Sequence, residues 1–272
     1  MHDHDGGLQF DVSTLMTRRR ALQLAAVGGL AAVVGCGSSS DGSAGSAAAT
    51  TDAAPATTGG AGAGATAEVP EETAGPFPAD GSNGVNVLTE SGIVRSDLTS
   101  SFGSAAAVAE GVPLTIALTV LDVTAGGTPV EGAAVYLWHC DREGRYSLYD
   151  PALASENYLR GVQASGGDGA LSFTSIWPGA YSGRWPHIHF EVYPSLGEAT
   201  SAGAKLVTSQ IAMPEDACRE VYASAGYEQS AANLTGASLA SDMVFADGYS
   251  TQLATATGAP ADGMTITLNV GV

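Results

Sequence analysis

The run VPLTIALTVLD (residues 112–122) sets Leu114, Ile116, Leu118 and Val120 in alternation with Thr115, Ala117 and Thr119. A period of two gives an extended strand one apolar face and one polar face, and a slip of one residue would turn the whole apolar set to water. The turn residues TAGGTPVEG follow, and then AAVYLWHC, a second strand with Val135, Leu137 and His139 on one side. ALSFTSI and HIHFEVY read as further strands, and MTITLNVGV closes the chain. Helical periodicity is thin. PEDACREVYASA is the best helical segment, with Pro214 placed to start it. Short strands separated by Gly and Pro turns predict an all-β fold, an antiparallel β-sandwich with few short helices.

The first quarter of the 272 residues follows other rules. TRRRALQLAAVGGLAAVVGC (17–36) has the charged start, apolar stretch and small-residue end of an export signal. Its apolar stretch is shorter than the ~20 residues that span a bilayer. Thr17-Arg18-Arg19 with Arg20, Ala21 and Leu22 resembles a twin-arginine signal, and Val33-Val34-Gly35-Cys36 resembles a lipobox. Residues 1–36 are therefore expected to be an export signal, with Cys36 a lipid anchor to a membrane in the cell envelope; an ordinary secretory signal with an incidental cysteine, giving a secreted protein, is the alternative. Residues 37–68, nearly all Gly, Ala, Ser and Thr, have too little apolar surface to offset ordering entropy and read as a flexible linker. The folded domain is expected over residues 69–272.

Removing residues 1–35 takes away Arg18, Arg19 and Arg20 together with Asp3, Asp5 and Asp11, so the formal charge of −18 persists. So acidic a chain lacks the basic footprint that a phosphate backbone requires, which argues against nucleic acid as a partner. Past Cys36, Cys140 and Cys218 remain. Outside the cytoplasm an even pair favours one disulfide over two buried thiols.

Chemistry concentrates in GAYSGRWPHIHFEV (179–192). His187 and His189 lie two apart on a strand, so both imidazoles leave the same face while Ile188 points to the core. Alone, such a pair is more often solvated than metal-bound. Tyr181 stands at the end of the WPGAY loop, and Tyr146 lies just past the strand that ends at Cys140. A phenol with a pKa near 10 is a poor ligand by itself, but a trivalent cation strongly favours its phenolate. Phenolate oxygen with imidazole nitrogen suits ferric iron better than zinc or copper(I). A zinc or copper site on the two histidines alone is the weaker metal reading.

The stretch PVEGAAVYLWHCDREGRYS…NYLRGVQASGGDGALSFTSIWPGAYSGRWPHIHFEV resembles the iron-ligand region of the intradiol ring-cleavage dioxygenases, the family of catechol 1,2-dioxygenases and protocatechuate 3,4-dioxygenases. PEETAGPFPAD is similar to the Thr-x-Gly-Pro-aromatic segment before the family's first strand, and TSQIAMP and DMVFADG to segments after its histidine pair. The resemblance spans residues 69–272. It implies Fe(III) held by Tyr146, Tyr181, His187 and His189, with Tyr181 the ligand that yields to substrate and takes up its proton. It implies that Arg184 stabilises electron density pushed onto the ring, and that Gln210 helps position substrate or oxygen. The implied substrates are a catechol and O2, and the implied product is a cis,cis-muconate. The sequence departs from the family's well-studied members in its short Ser182–Pro186 spacer, which leaves the choice of catechol open.

Other residues have plainer readings. His139 reads as structural, Trp138 and Trp177 as packing, and QASGGDGA as a turn, since one aspartate cannot supply a calcium site. Tyr149 and Tyr158 compete with Tyr146, which alone sits in the Gly-x-Tyr-Ser pattern of the family. A non-catalytic cell-surface β-sandwich binding sugar or protein is the alternative function, but it leaves the coexistence of these site residues without a reason.

Overall fold

A computed structural model describes residues 67–201 and 203–272. The expected signal (1–36), with its anchor at Cys36, and the linker up to residue 66 lie outside the described residues. The described strands form two sheets. In the first, β1 (Pro113–Asp122) is central, with β9 (Gly263–Gly271) and then β8 (Thr255–Ala259) on one side. Its other edge pairs with β5 (Ala170–Ile176) and, at its far end, with the two-residue β2 (Thr128–Pro129). The second sheet has the order β4 (Arg160–Ala164), β3 (Ala134–Trp138), β6 (His187–Tyr193), β7 (Val207–Ala212), all antiparallel. Helices α1 (Leu196–Thr200), α2 (Glu215–Val221) and α3 (Glu228–Leu234) are short, and Pro214 stands at the N-cap of α2.

One ladder runs against the antiparallel rule. β9 pairs with β1 in parallel, from Leu114↔Met264 to Leu121↔Gly271. Parallel neighbours need a long crossover rather than a hairpin, and the whole chain between β1 and β9 supplies it.

The alternation of β1 is realised in packing: Leu114, Ile116, Leu118 and Val120 are all at most 1% exposed. They meet Val135, Leu137, Phe173, Ile188, Phe190 and Ile211 in the core between the sheets. Each such side chain contributes about 1.5–3 kcal/mol when fully buried. β3 is buried on both faces, which is why its sequence AVYLW does not alternate. Its second face, with Tyr136 and Trp138, packs under the N-terminal segment through Val87, Leu88 and Ile93. That segment is tied down by Val69 N to Gly271 O (3.0 Å) and Glu72 N to Thr208 O (2.7 Å). The second sheet therefore has a covered outer face, and the site lies there rather than between the sheets.

The expected Cys140–Cys218 bridge is not formed; both are buried free thiols. Cys140 Sγ contacts Gly179 O at 3.5 Å, whereas Cys218 lies on α2 in the core between the sheets. Burial pushes both thiols well above their ordinary range. His139 links the two sheets: its Nδ1 lies 2.8 Å from Cys140 O and its Nε2 2.7 Å from Ser175 Oγ of β5. Burial lowers its pKa to about 4, so it is neutral. Trp177 is fully buried in the same core.

Candidate metal centre

β6 starts at His187, and its pleat sends His187 and His189 to the covered outer face while Ile188 enters the core. Pairing with β7 sets Gln210 directly opposite His189. The spacer before β6 is a tight turn with Gly183 at φ +82°, and the Arg184 amide donates back to Tyr181 O. Trp185 then fixes the end of the turn. Its indole donates to Met213 O at 2.9 Å and its amide to Asp242 Oδ2 at 2.7 Å. Five residues thus suffice to bring Tyr181 back over His187.

Tyr146 arrives on a second loop. Asp141 Oδ1 accepts from the amides of Glu143 and Arg145 and shapes the turn before it. Gly144 (φ +84°) lets this loop approach the other, since a Cβ there would meet Tyr181 Cβ at 3.2 Å. Gly179 is tighter still: a Cβ would lie 2.6 Å from Arg142 O. Beyond Tyr146, Arg160 donates to Ser147 Oγ (3.1 Å) and Ser147 O (3.0 Å) and to the carbonyls of Phe77 and Pro78. Phe77 in turn packs on Tyr146 with ring centroids 5.0 Å apart.

Three polar side-chain atoms converge where the loops meet β6, with the Tyr146 ring beside them. His187 Nε2 lies 3.1 Å from His189 Nε2 and 3.1 Å from Tyr181 Oη. The Tyr146 ring stands edge-on to Tyr181 at 6.0 Å and to His189 at 6.3 Å. His187 Nδ1 donates to Trp185 O at 2.5 Å, which fixes the tautomer and leaves the Nε2 lone pair facing the cluster. Trp138 stacks on His189 at 4.9 Å with an interplanar angle of 6° and orients that ring. Burial first, and then the Arg184 charge, depresses His187; burial and then His187 depress His189, so both imidazoles stay neutral.

The residues fit an Fe(III) ion. Tyr146 Oη is buried and has no hydrogen-bond partner of normal geometry among the described residues, and a buried orphan of that kind calls for a specific reason. Burial, and then its neighbour Tyr181, pushes the Tyr146 phenol well above its ordinary range, so only a strong local cation would ionise it. Among the described residues there is no cluster of three or more His, Cys, Asp or Glu, so the oxygen donors here are the tyrosines. Two phenolic oxygens and two neutral imidazole nitrogens form a hard-to-intermediate donor set suited to a ferric ion.

Arg184 and Gln210 adjoin this cluster as a connected pair. Arg184 is 1% exposed; its Nε donates to Asp242 Oδ2 at 3.0 Å and its Nη2 to Gln210 Oε1 at 2.7 Å. Gln210 Nε2 donates to Thr73 O at 2.9 Å, so both ends of this amide are engaged. Burial alone would raise the Asp242 carboxyl. The Arg184 charge and hydrogen bonds from Arg184, Trp185 N and Val244 N outweigh it and hold the group below the usual range. Sequence reasoning named the DMVFADG segment but missed Asp242 as a site residue; the available signal was one acid placed against the apolar run Met243-Val244-Phe245. Thr73 and the His189-stacking role of Trp138 were missed too.

The competing tyrosines lie elsewhere. Tyr149 Oη accepts from Ala79 N (2.9 Å) and donates to Asn83 Oδ1 (2.9 Å), which commits it to the N-terminal segment. Tyr158 packs with Leu153, Leu159 and Ile176 in a separate cluster.

Parts of the chain are similar to known dioxygenases. The Dioxygenase_C family model, described as dioxygenase, matches residues 97–187. A chlorocatechol 1,2-dioxygenase from Rhodococcus opacus is 42% identical over 55 residues, 20% of this chain and 21% of that protein. Catechol 1,2-dioxygenase 1 from Acinetobacter lwoffii is 30% identical over 109 residues, 33% of each chain. The chain thus matches a fifth to a third of the length of these curated relatives. An intradiol ring-cleavage dioxygenase structure from Tetranychus urticae shares the fold, with a TM-score of 0.54 at 23% identity over 67% of this chain and 87% of that one. Part of the chain, residues 97–187, is thus similar to the dioxygenase family model, and the domain shares its fold with an intradiol ring-cleavage dioxygenase.

Proposed function

We propose that the domain is an Fe(III)-dependent intradiol dioxygenase that opens a catechol ring between its two hydroxylated carbons, consuming one O2 and giving a cis,cis-muconate-type dicarboxylate. The observation that carries this reading is the meeting of Tyr181, His187 and His189 beside the buried Tyr146 phenol, whose oxygen has no hydrogen-bond partner of normal geometry among the described residues. Bound there, ferric iron would supply the positive charge that turns phenols to phenolates and activates a catecholate toward O2.

The chain's own groups divide the remaining work. His187 and His189 offer Nε2, with the His187 ring fixed by its bond to Trp185 O. Tyr146 is buried and held by Phe77 and the Arg160-anchored loop, which suits a permanent ligand. Tyr181 is only half-buried and sits beside an exposed Ser182-Gly183 turn, which suits the ligand that swings away and receives the substrate's proton at Oη. Arg184 cannot release its proton and keeps a fixed positive charge beside the cluster, where it stabilises charge developing on the ring. Gln210 acts through Arg184 as a positioning residue, because both ends of its amide are already engaged.

The cell-surface binding-module alternative gains no support from this geometry, and a site built on the two histidines alone leaves both converging phenols unused. The proposed setting is the cell envelope, with a lipid tether at Cys36; that part rests on the sequence of residues 17–36. The reading is tested by oxygen uptake of the iron-reconstituted protein with catechol. The expected result is one O2 per catechol and a ring-opened dicarboxylate, with Tyr181→Phe losing most turnover while retaining iron. No uptake by iron-loaded protein with any catechol would contradict it.

A further inference from the structure

Resting on the proposed function, we infer that Arg160 is a positioning residue for two of the four ligand side chains, Tyr146 on its loop and His189 on β6, through one buried guanidinium. Arg160 opens β4 and is fully buried. A guanidinium there keeps its charge, so its N–H groups need acceptors. They find them without an acid. Nε donates to Ser147 Oγ at 3.1 Å and Nη2 to Ser147 O at 3.0 Å. Nη1 reaches Phe77 O, Pro78 O and Tyr136 Oη at 2.9, 3.2 and 3.3 Å. Glu191, opposite Tyr136 across the β3–β6 ladder, is engaged instead by Lys205 and Tyr193. A buried charge is a poor source of stability, and an apolar side chain of that volume often serves as well. What only the planar fork supplies is direction, because it fixes acceptors on three separate segments at once.

Two arms lead from it to ligands. The first is short: both Ser147 acceptors adjoin Tyr146 in sequence, and the Tyr149 ring centroid lies 5.5 Å from the guanidinium carbon. Leu148, between those two residues, sits at φ +72°, a left-handed backbone that a leucine keeps only where its surroundings hold it. The second arm runs through rings. Tyr136 stacks on Trp138 at 4.9 Å and 23°, and Trp138 on His189 at 4.9 Å and 6°. Tyr136 and Trp138 share a face of β3, and Trp138 stands opposite His189 in the ladder, so the column follows from the register. This matters for His189 in particular. His187 is oriented by its Nδ1 bond to Trp185 O, whereas His189 Nδ1 has no hydrogen-bond partner of normal geometry among the described residues. The stack therefore aims the His189 ring, and the stack is anchored at Tyr136 Oη, which donates to Pro78 O at 2.7 Å and accepts from Arg160. The N-terminal cover, the Tyr146 loop and β3 thus meet on a single side chain.

The test measures Fe(III) affinity by chelator competition and the visible band of the iron-loaded protein, neither of which requires turnover. Arg160→Lys keeps the charge but replaces the fork with one ammonium. The expected result is a shifted band and an affinity lower by about 10-fold or more, the scale of losing a group that orients metal ligands. Phe173→Leu, in the core between the sheets, is the control: thermal stability should fall while band and affinity keep their wild-type values. Arg160→Lys protein with the wild-type band and affinity would overturn the inference. So would equal losses in Phe173→Leu, which would mark them as general loosening. Should Arg160→Lys fail to fold, Ser147→Ala decides: it removes the Nε acceptor beside Tyr146 and should shift the band, and an unchanged band overturns the inference. A coloured wild type that takes up no O2 with catechol would remove the proposed reaction and leave this inference standing. A wild type that binds no iron would remove both.

Discussion

Asp242 shows how much of the site depends on one residue away from the metal cluster. It accepts from Arg184 Nε, Trp185 N and Val244 N, so it fixes both Arg184 and the end of the short spacer that carries β6 into the site. Both partners of the ion pair are about 1% exposed in their side chains. Asp242→Asn keeps the size and an acceptor but strands the Arg184 charge, at a cost of about 3–5 kcal/mol. Thermal melting should fall by roughly 10 °C. The carboxyl is held below its ordinary range in the folded state, so its contribution is present above the usual carboxyl pKa of about 3.9 and is lost as pH falls through the folded value. The stability gap between wild type and variant should therefore be constant from about pH 5 to 8 and shrink below about pH 4. Equal melting temperatures at pH 7 would show that the pair does not organise this corner. Little of this was legible beforehand, because Asp242 meets Arg184 across 58 positions and no local pattern records such a contact.

At the scale of elements, α3 holds the two tyrosine loops together. Ser230 Oγ donates to Arg142 O at 2.8 Å in the Tyr146 loop and accepts from Ala180 N at 3.0 Å, one residue before Tyr181. Asn233 Nδ2 adds a bond to Ala180 O at 2.8 Å. Ser230→Ala leaves a buried amide and a carbonyl without partners, at about 1–3 kcal/mol. It should also broaden or shift the visible band of the iron-loaded protein, since the geometry of both phenols depends on it. An unchanged spectrum would separate α3 from the site. The strands were far easier to read than this helix. β1 and β6 carry a strict period of two, and the HxH spacing of β6 follows directly from its pleat. α3 has two functional contacts but only seven residues, too short a run for periodicity to register. The parallel β1–β9 ladder was equally hidden, because strand direction is decided by the path of the long intervening chain and not by either strand's own residues. The expected disulfide failed for a related reason: an even count of cysteines carries no information about distance.

At the scale of the whole molecule, the N-terminal segment covers the outer face of one sheet and turns it into a second interior, where a buried metal centre can sit. The motif residues Tyr146, Tyr181, Arg184, His187, His189 and Gln210 could be named from sequence because each lies in a short patterned stretch. Their closure into one cluster is a product of the two loops, the covered sheet face and the glycines that let the loops touch. The central claim is that Tyr146 and Tyr181 together make this a ferric tyrosinate site. It is tested most directly by the visible absorption of the protein reconstituted with one equivalent of Fe(III). The expected result is a coloured protein, with a charge-transfer band that weakens in Tyr146→Phe and in Tyr181→Phe and disappears in the double variant. Iron bound at full stoichiometry without colour, or a band that survives the double substitution, would contradict it.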